Sequence, residues 1–328
     1  MVLLNQTNFI IMKKILLSAS LLSMLFSCQN EESTITPTEQ SSTPSHRMCA
    51  TQDVLERQLR ENPELAIKMN RIETFTENAI AQGRLVNGKI EIPVVVNVLY
   101  KTAAENISTA QIQSQIDVLN KDFNALNTDY NSVPALFSGV KANVGISFVL
   151  QNVVRRSTTT TSWSTNDAMK KSTKGIVPTS PTTVLNLWCC NLGGGILGYA
   201  QFPGGASATD GIVIDNNAFG NTGTVSSPYN LGRTATHEVG HWMNLRHIWG
   251  DTTCGSDLVS DTPTHNTANY GVPSYPHYST CSGTPVEMTM NYMDYTDDRG
   301  MYMFSNGQKS RMAAIFVSGG ARFSFGQP

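Results

Sequence analysis

The sequence predicts an α+β fold built around one functional helix, and three stretches predict it. Ile90–Tyr100 is β-branched and apolar and reads as the opening strand of a sheet. After Ser108, the apolar residues Ile112, Ile116, Leu119 and Phe123 recur at helical spacing, which gives a long helix packed on that sheet. The string His237-Glu238-Val239-Gly240-His241 sets two imidazoles one turn apart on the same face of a helix, where both reach a single ion.

Length and composition fit a folded, exported chain. With 328 residues, 40% hydrophobic and 15% charged, it buries a proper core in one or two domains. A net charge of −2 with no basic block excludes nucleic acid as a partner.

The chain opens on an address. Lys13-Lys14 precede an apolar run over residues 15–26 that is too short for a membrane span, and Ser27-Cys28 close it. Leu25-Phe26-Ser27-Cys28 resembles a bacterial lipobox. Residues 1–28 therefore read as a signal peptide ending in a lipid-modified Cys28, which places the mature protein on the outer membrane or cell surface of a bacterium. Contact with the membrane runs through the lipid alone. An ordinary secretory signal with an incidental cysteine is the alternative. Residues 29–45 are rich in Ser, Thr, Pro and Glu and read as a flexible tether.

Residues 46–88 read as a helical segment, with Val54, Leu55, Leu59, Leu65, Ile67, Met69, Ile72 and Phe75 among many charges and a break at Pro63. So few apolar residues require a larger body to pack on. Gly83, Asn87 and Gly88 mark an exposed turn suited to cleavage between Arg84 and Lys89.

Residues 89–328 read as the main domain. Residues 144–154 form a second strand, and residues 155–164 a polar connection. Residues 183–189, 196–201 and 211–215 are three more strands, separated by turns at Gly193-Gly194-Gly195 and Gly204-Gly205. The first glycine cluster lacks the Lys-Ser/Thr of a phosphate loop. Residues 305–318 form a final helix.

Three of the six histidines fall between residues 237 and 247. Neutral imidazoles suit zinc, whose catalytic sites use three protein ligands and keep one position open. His247 is the candidate third ligand. In a continuous helix it would lie roughly 15 Å beyond His237 and off the ligand face, so the chain must turn near Asn244, a residue that tolerates the left-handed conformation. Glu238 is the candidate general base and then acid.

These residues resemble the metzincin zinc endopeptidases, whose pattern is H-E-x-x-H-x-x-G-x-x-H followed by a Met-turn. Asn244 stands where that pattern has glycine. Asn291-Tyr292-Met293-Asp294-Tyr295 is similar to the Met-turn. The resemblance implies a metzincin-type fold: a twisted mixed β-sheet with packed helices above a zinc-binding active-site helix, and a smaller irregular C-terminal subdomain, with the division near residue 247. It makes Met293 the apolar floor under the histidines, gives Tyr295 the developing oxyanion, and places the last strand before the helix, residues 211–215, along the substrate cleft.

Arg47-Met48-Cys49-Ala50-Thr51 resembles the R-x-C-G-T prosegment motif of the pappalysin branch, which includes ulilysin, with Ala50 for glycine. By that resemblance Cys49 ligates zinc in a latent form, and Asp298 lines a pocket favouring Arg or Lys after the scissile bond. A structural cysteine is the other reading of Cys49. Closely spaced carboxylates over residues 250–263 make a candidate calcium loop, in which the resemblance favours Asp257 and Asp261; a solvated turn is the alternative. With Cys28 and Cys49 assigned, four cysteines remain. Cys254 pairs with Cys281, and the partners of the adjacent Cys189 and Cys190 stay open.

The sequence thus reads as a secreted, lipid-anchored zinc endopeptidase made as a latent zymogen. It acts on protein or peptide substrates and is activated by another protease or by itself. The rival is a non-catalytic surface lipoprotein, a binding or adhesion module on a peptidase-like fold.

Overall fold

The computed structural model describes residues 46–83 and 89–326. The signal peptide, Cys28, the tether and the cleavable turn from Arg84 to Gly88 lie outside the described residues.

Two helices come first, α1 (Thr51–Glu61) and α2 (Glu64–Ala81), broken at Pro63 as the missing amide requires. Strand β1 (Ile90–Tyr100) follows, then α3 (Thr109–Asp122), started by the Ser108 hydroxyl, which accepts the Gln111 amide. β2 (Ile146–Ser157) runs past residue 154, because β1 continues to pair with it as far as Tyr100–Ser157 and takes up residues read as a loop. β3 (Leu185–Cys190), β4 (Gly198–Ala200) and β5 (Ile212–Asp215) precede α4 (Arg233–Trp242). After α4 the described chain is mostly turns up to α5 (Asn306–Ala314), which opens on a Ser305/Gln308 capping box.

The sheet order is β2-β1-β3-β5-β4, parallel except for β4, which runs antiparallel to β5. This corrects one expectation. Residues 211–215 do not line the cleft, because β5 is enclosed between β3 and β4. The edge of the sheet on this side belongs to β4, a strand of three residues that returns from the turn at Gly194 and Gly195, both left-handed.

Alternation along the strands sorts the core into two faces. Ile92, Val94, Val96, Leu187 and Ile214 pack with Ile112, Ile116 and Leu119 of α3 and Val239 of α4. On the other face Leu99, Trp188, Tyr199 and Val213 pack with Trp163 and Met169, and also with Ala50 and Val54 of the N-terminal segment. Cys189 and Cys190 are buried free thiols that point into opposite faces, which keeps them from bonding to each other. Cys254 and Cys281 are joined, closing the loop after α4.

Candidate active site and metal centre

Helix α4 starts at Gly232, whose φ of +78° suits glycine. The amides of Leu231 and Arg233 both donate to Asp298 Oδ2, at 2.8 and 3.3 Å, so a carboxylate serves the positive end of the helix. The other end closes in a tight turn. Met243 N donates to Val239 O, Leu245 N donates back to Gly240 O, and Asn244 takes the left-handed conformation at φ +72°. That reversal brings His247 beside the helical pair.

The three imidazoles converge. His241 Nε2 lies 3.1 Å from His237 Nε2 and 3.0 Å from His247 Nε2, and Cys49 Sγ joins them with all four atoms within 4.8 Å of one another. Each Nδ1 faces an acceptor: Tyr292 O at 2.6 Å from His237, Leu245 O at 2.8 Å from His241, and Asp251 Oδ1 at 2.5 Å from His247. The Nδ1 protons are thereby spent, and three Nε2 lone pairs aim at one place. Lone pairs so close repel unless a cation shares them. Tetrahedral zinc with bonds of about 2.05 Å sets its nitrogens roughly 3.3 Å apart, which this set fits. Burial holds His237 well below the usual imidazole range and brings His241 down to about 3, with the neighbouring histidines adding to both shifts, so both stay neutral as ligands must.

Glu238 is buried beside them. Its Oε2 accepts from the Thr51 hydroxyl at 2.8 Å and from the Cys49 thiol at 3.5 Å. Burial pushes its carboxyl up to about 7 against the pull of those two bonds. Burial, then the Glu238 charge, pushes the Cys49 thiol well up, so a thiolate there requires a cation.

Met293 is fully buried, and its sulfur lies so close under Gly240 that a Cβ there would meet it at 2.5 Å. Its carbonyl accepts from Ile248 N at 3.1 Å. The Tyr295 ring stands 4.9 Å from that of His247, and its hydroxyl donates to Cys49 O at 3.1 Å. Asp298 is wholly buried, with Oδ1 2.5 Å from Arg47 Nη2. Asp257 accepts from Thr262 Oγ1 and Val259 N, and Asp261 from Ser305 Oγ and Gly307 N. Among the described residues the cysteine-histidine set is the one cluster with metal-ligand spacing.

The edge strand carries the N-terminal segment. Leu197 N donates to Met48 O and Ala50 N to Gly198 O, so residues 48–50 run parallel to β4. Gly198 is obligatory there, since a Cβ would meet Val213 O at 2.9 Å and Glu238 Cγ at 3.0 Å. Three participants went unread in the sequence. Thr51 had its place in the motif as a signal. Asp251 lies one helical turn beyond His247 in number, at φ +60° after a left-handed Gly250. Trp249 stacks on His247 with ring centroids 4.4 Å apart and gave no signal beyond proximity.

A convergent histidine triad with a buried carboxylate beside it and a methionine floor, assembled around one helix under a mixed sheet, defines a metzincin-type zinc metalloendopeptidase. Comparison with known proteins narrows the class. Residues 189–317 match the profile of peptidase family M43, described as pregnancy-associated plasma protein-A. An extracellular metalloprotease of Pyricularia oryzae is 35% identical over 222 residues, covering 66% of this chain and 70% of that one. Extracellular metalloprotease 1 of Coccidioides posadasii is 32% identical, covering 69% and 77%. Among solved structures, Tannerella forsythia mature mirolysin in complex with a cleaved peptide is 43% identical with a TM-score of 0.72, covering 74% of this chain and 97% of that one. A promirolysin mutant of the same organism is 39% identical with a TM-score of 0.75, covering 86% and 100%. The chain belongs to the pappalysin family.

Proposed function

We propose that this chain is a secreted endopeptidase made as a latent zymogen, with His237, His241 and His247 as zinc ligands and residues 46–88 as the inhibitory prosegment. The observation that carries it is the position of Cys49: a segment distant in sequence delivers a sulfur to the point shared by three imidazole lone pairs. Bound zinc supplies Lewis acidity toward the scissile carbonyl and toward water. Glu238 takes the proton of the attacking water and passes it to the leaving amine. Tyr295, its hydroxyl now on a backbone carbonyl at the site, donates to the oxyanion once the prosegment leaves. The vacated β4 edge pairs with an extended substrate.

Arg47 supports a preference for a basic residue after the scissile bond, because its guanidinium fills the acidic pocket at Asp298. Export is supported by the leader and by the extracellular relatives. Retention through a lipid on Cys28 is tested by mass spectrometry of the mature N-terminus. Release of the prosegment needs a cut between Arg84 and Lys89, by another protease or by the enzyme itself.

Glu238→Ala decides between catalysis and a binding module. Cleavage of a denatured protein must collapse while zinc stays at one equivalent. Unchanged cleavage would sink the mechanism.

A further inference from the structure

Thr51 does more than start α1. The hydroxyl is buried and makes two bonds to the catalytic machinery: it accepts from Ala200 N at 2.8 Å and donates to Glu238 Oε2 at 2.8 Å. Its proton is free for the carboxylate because its lone pair already takes the amide. Ala200 closes the β4 edge, so this amide is one that an extended substrate would use.

We infer that Thr51 is a second, metal-independent lock on the latent enzyme, which occupies the proton-accepting oxygen of Glu238 and the edge-strand amide of Ala200 at once. The inference rests on the reading of residues 46–88 as an inhibitory prosegment. Cys49 contests the metal; Thr51 contests the base and the substrate backbone. One residue separates them, and Thr51 N donates to Cys49 Sγ at 3.4 Å, so the chain turns there to serve both. A thiol can be oxidised or alkylated away from a metal. The hydroxyl cannot, and latency then survives the loss of the sulfur.

The test uses the full zinc-loaded chain with initial rates on a quenched peptide, each precursor verified intact by mass. Cys49→Ala is expected to stay at least tenfold below the cleaved enzyme. Adding Thr51→Val, which keeps shape and removes the hydroxyl, raises that rate at least tenfold, the scale of a lost hydrogen bond to a charged group. Adding Thr51→Ser instead leaves it near the Cys49→Ala level. Amide exchange gives a readout independent of turnover: Ala200 N–H stays protected in the Cys49→Ala precursor and exchanges freely once the segment is cut away. If Cys49→Ala alone reaches the cleaved enzyme's rate, or Thr51→Val adds nothing to it, the second lock is refuted. Should the valine variant fail to fold, free exchange at Ala200 in the Cys49→Ala precursor refutes it equally. A parent precursor as active as the cleaved enzyme would overturn the prosegment reading itself.

Discussion

Asp298→Asn in the activated enzyme separates recognition from chemistry. The two carboxylate oxygens have divided tasks. Oδ2 accepts the amides of Leu231 and Arg233, while Oδ1 takes the Arg47 guanidinium at 2.5 Å. On the proposed reading residue 47 leaves with the prosegment, and Oδ1, buried here against the Arg47 guanidinium, becomes available to a substrate cation. Asparagine keeps one oxygen for the helix amides, so its NH2 group then faces the cation. A charge-assisted hydrogen bond is lost and a donor meets a donor, which together cost about 2–4 kcal/mol. That corresponds to a fall of roughly 30- to 1000-fold in kcat/KM.

The assay compares two peptides that differ only after the scissile bond, one with arginine and one with norleucine. The arginine peptide should lose the full factor and the norleucine peptide less than about threefold, since norleucine never used the charge. Equal losses would mean that Asp298 acts through the start of α4 rather than through the substrate. No loss on the arginine peptide would remove Asp298 from recognition.

Three further outcomes test the scaffold. Gly240→Ala forces a Cβ to 2.5 Å from Met293 Sδ; the overlap outweighs the helix-propensity gain, so thermal unfolding should show a net loss of about 1–2 kcal/mol and calorimetry a weaker zinc affinity. Asn244→Ala at φ +72° should cost about 1 kcal/mol while Asn244→Gly stays within error, and equal melting temperatures for the two would contradict the left-handed turn. Replacing Cys254 and Cys281 by serine opens a loop with a sequence separation of 27 and should cost about 3 kcal/mol in denaturant titration.

Much of this was legible because it is local. Pro63 breaks a helix, Ser108 starts one and Asn244 ends one through chemistry within a few residues of each. Sheet order is not local. Residues 196–201 read as a strand and contain β4, but nothing in them says where in the sheet it lies; only its pairing with β5 makes it the edge. The same holds for the polar partners of the histidines. Tyr292 O and Asp251 reach Nδ1 atoms through the fold, and the sequence shows residue types, not which carbonyl arrives.

The thin apolar content of the N-terminal segment acquires a reason from its contacts. Ala50, Val54, Leu65 and Ala79 are its only buried hydrophobic residues among those described, whereas three ion pairs tie it across: Arg47 to Asp298, Arg57 to Asp167, and Glu73 to Arg311. All three of its partners keep other polar neighbours, Asp298 through the amides of Leu231 and Arg233. Asp167 retains the Lys170 ammonium at 2.9 Å, and Arg311 the carbonyls of Asn244 and Leu258. An inhibitor held by a large apolar face would leave an exposed patch when removed, and its departure would cost the hydrophobic energy of that face. One held by charges that remain solvated or re-paired after it leaves departs with little damage to the core. On the proposed reading of residues 46–88 as a prosegment that leaves a working enzyme, arginines, a threonine and a cysteine therefore suit it better than leucines.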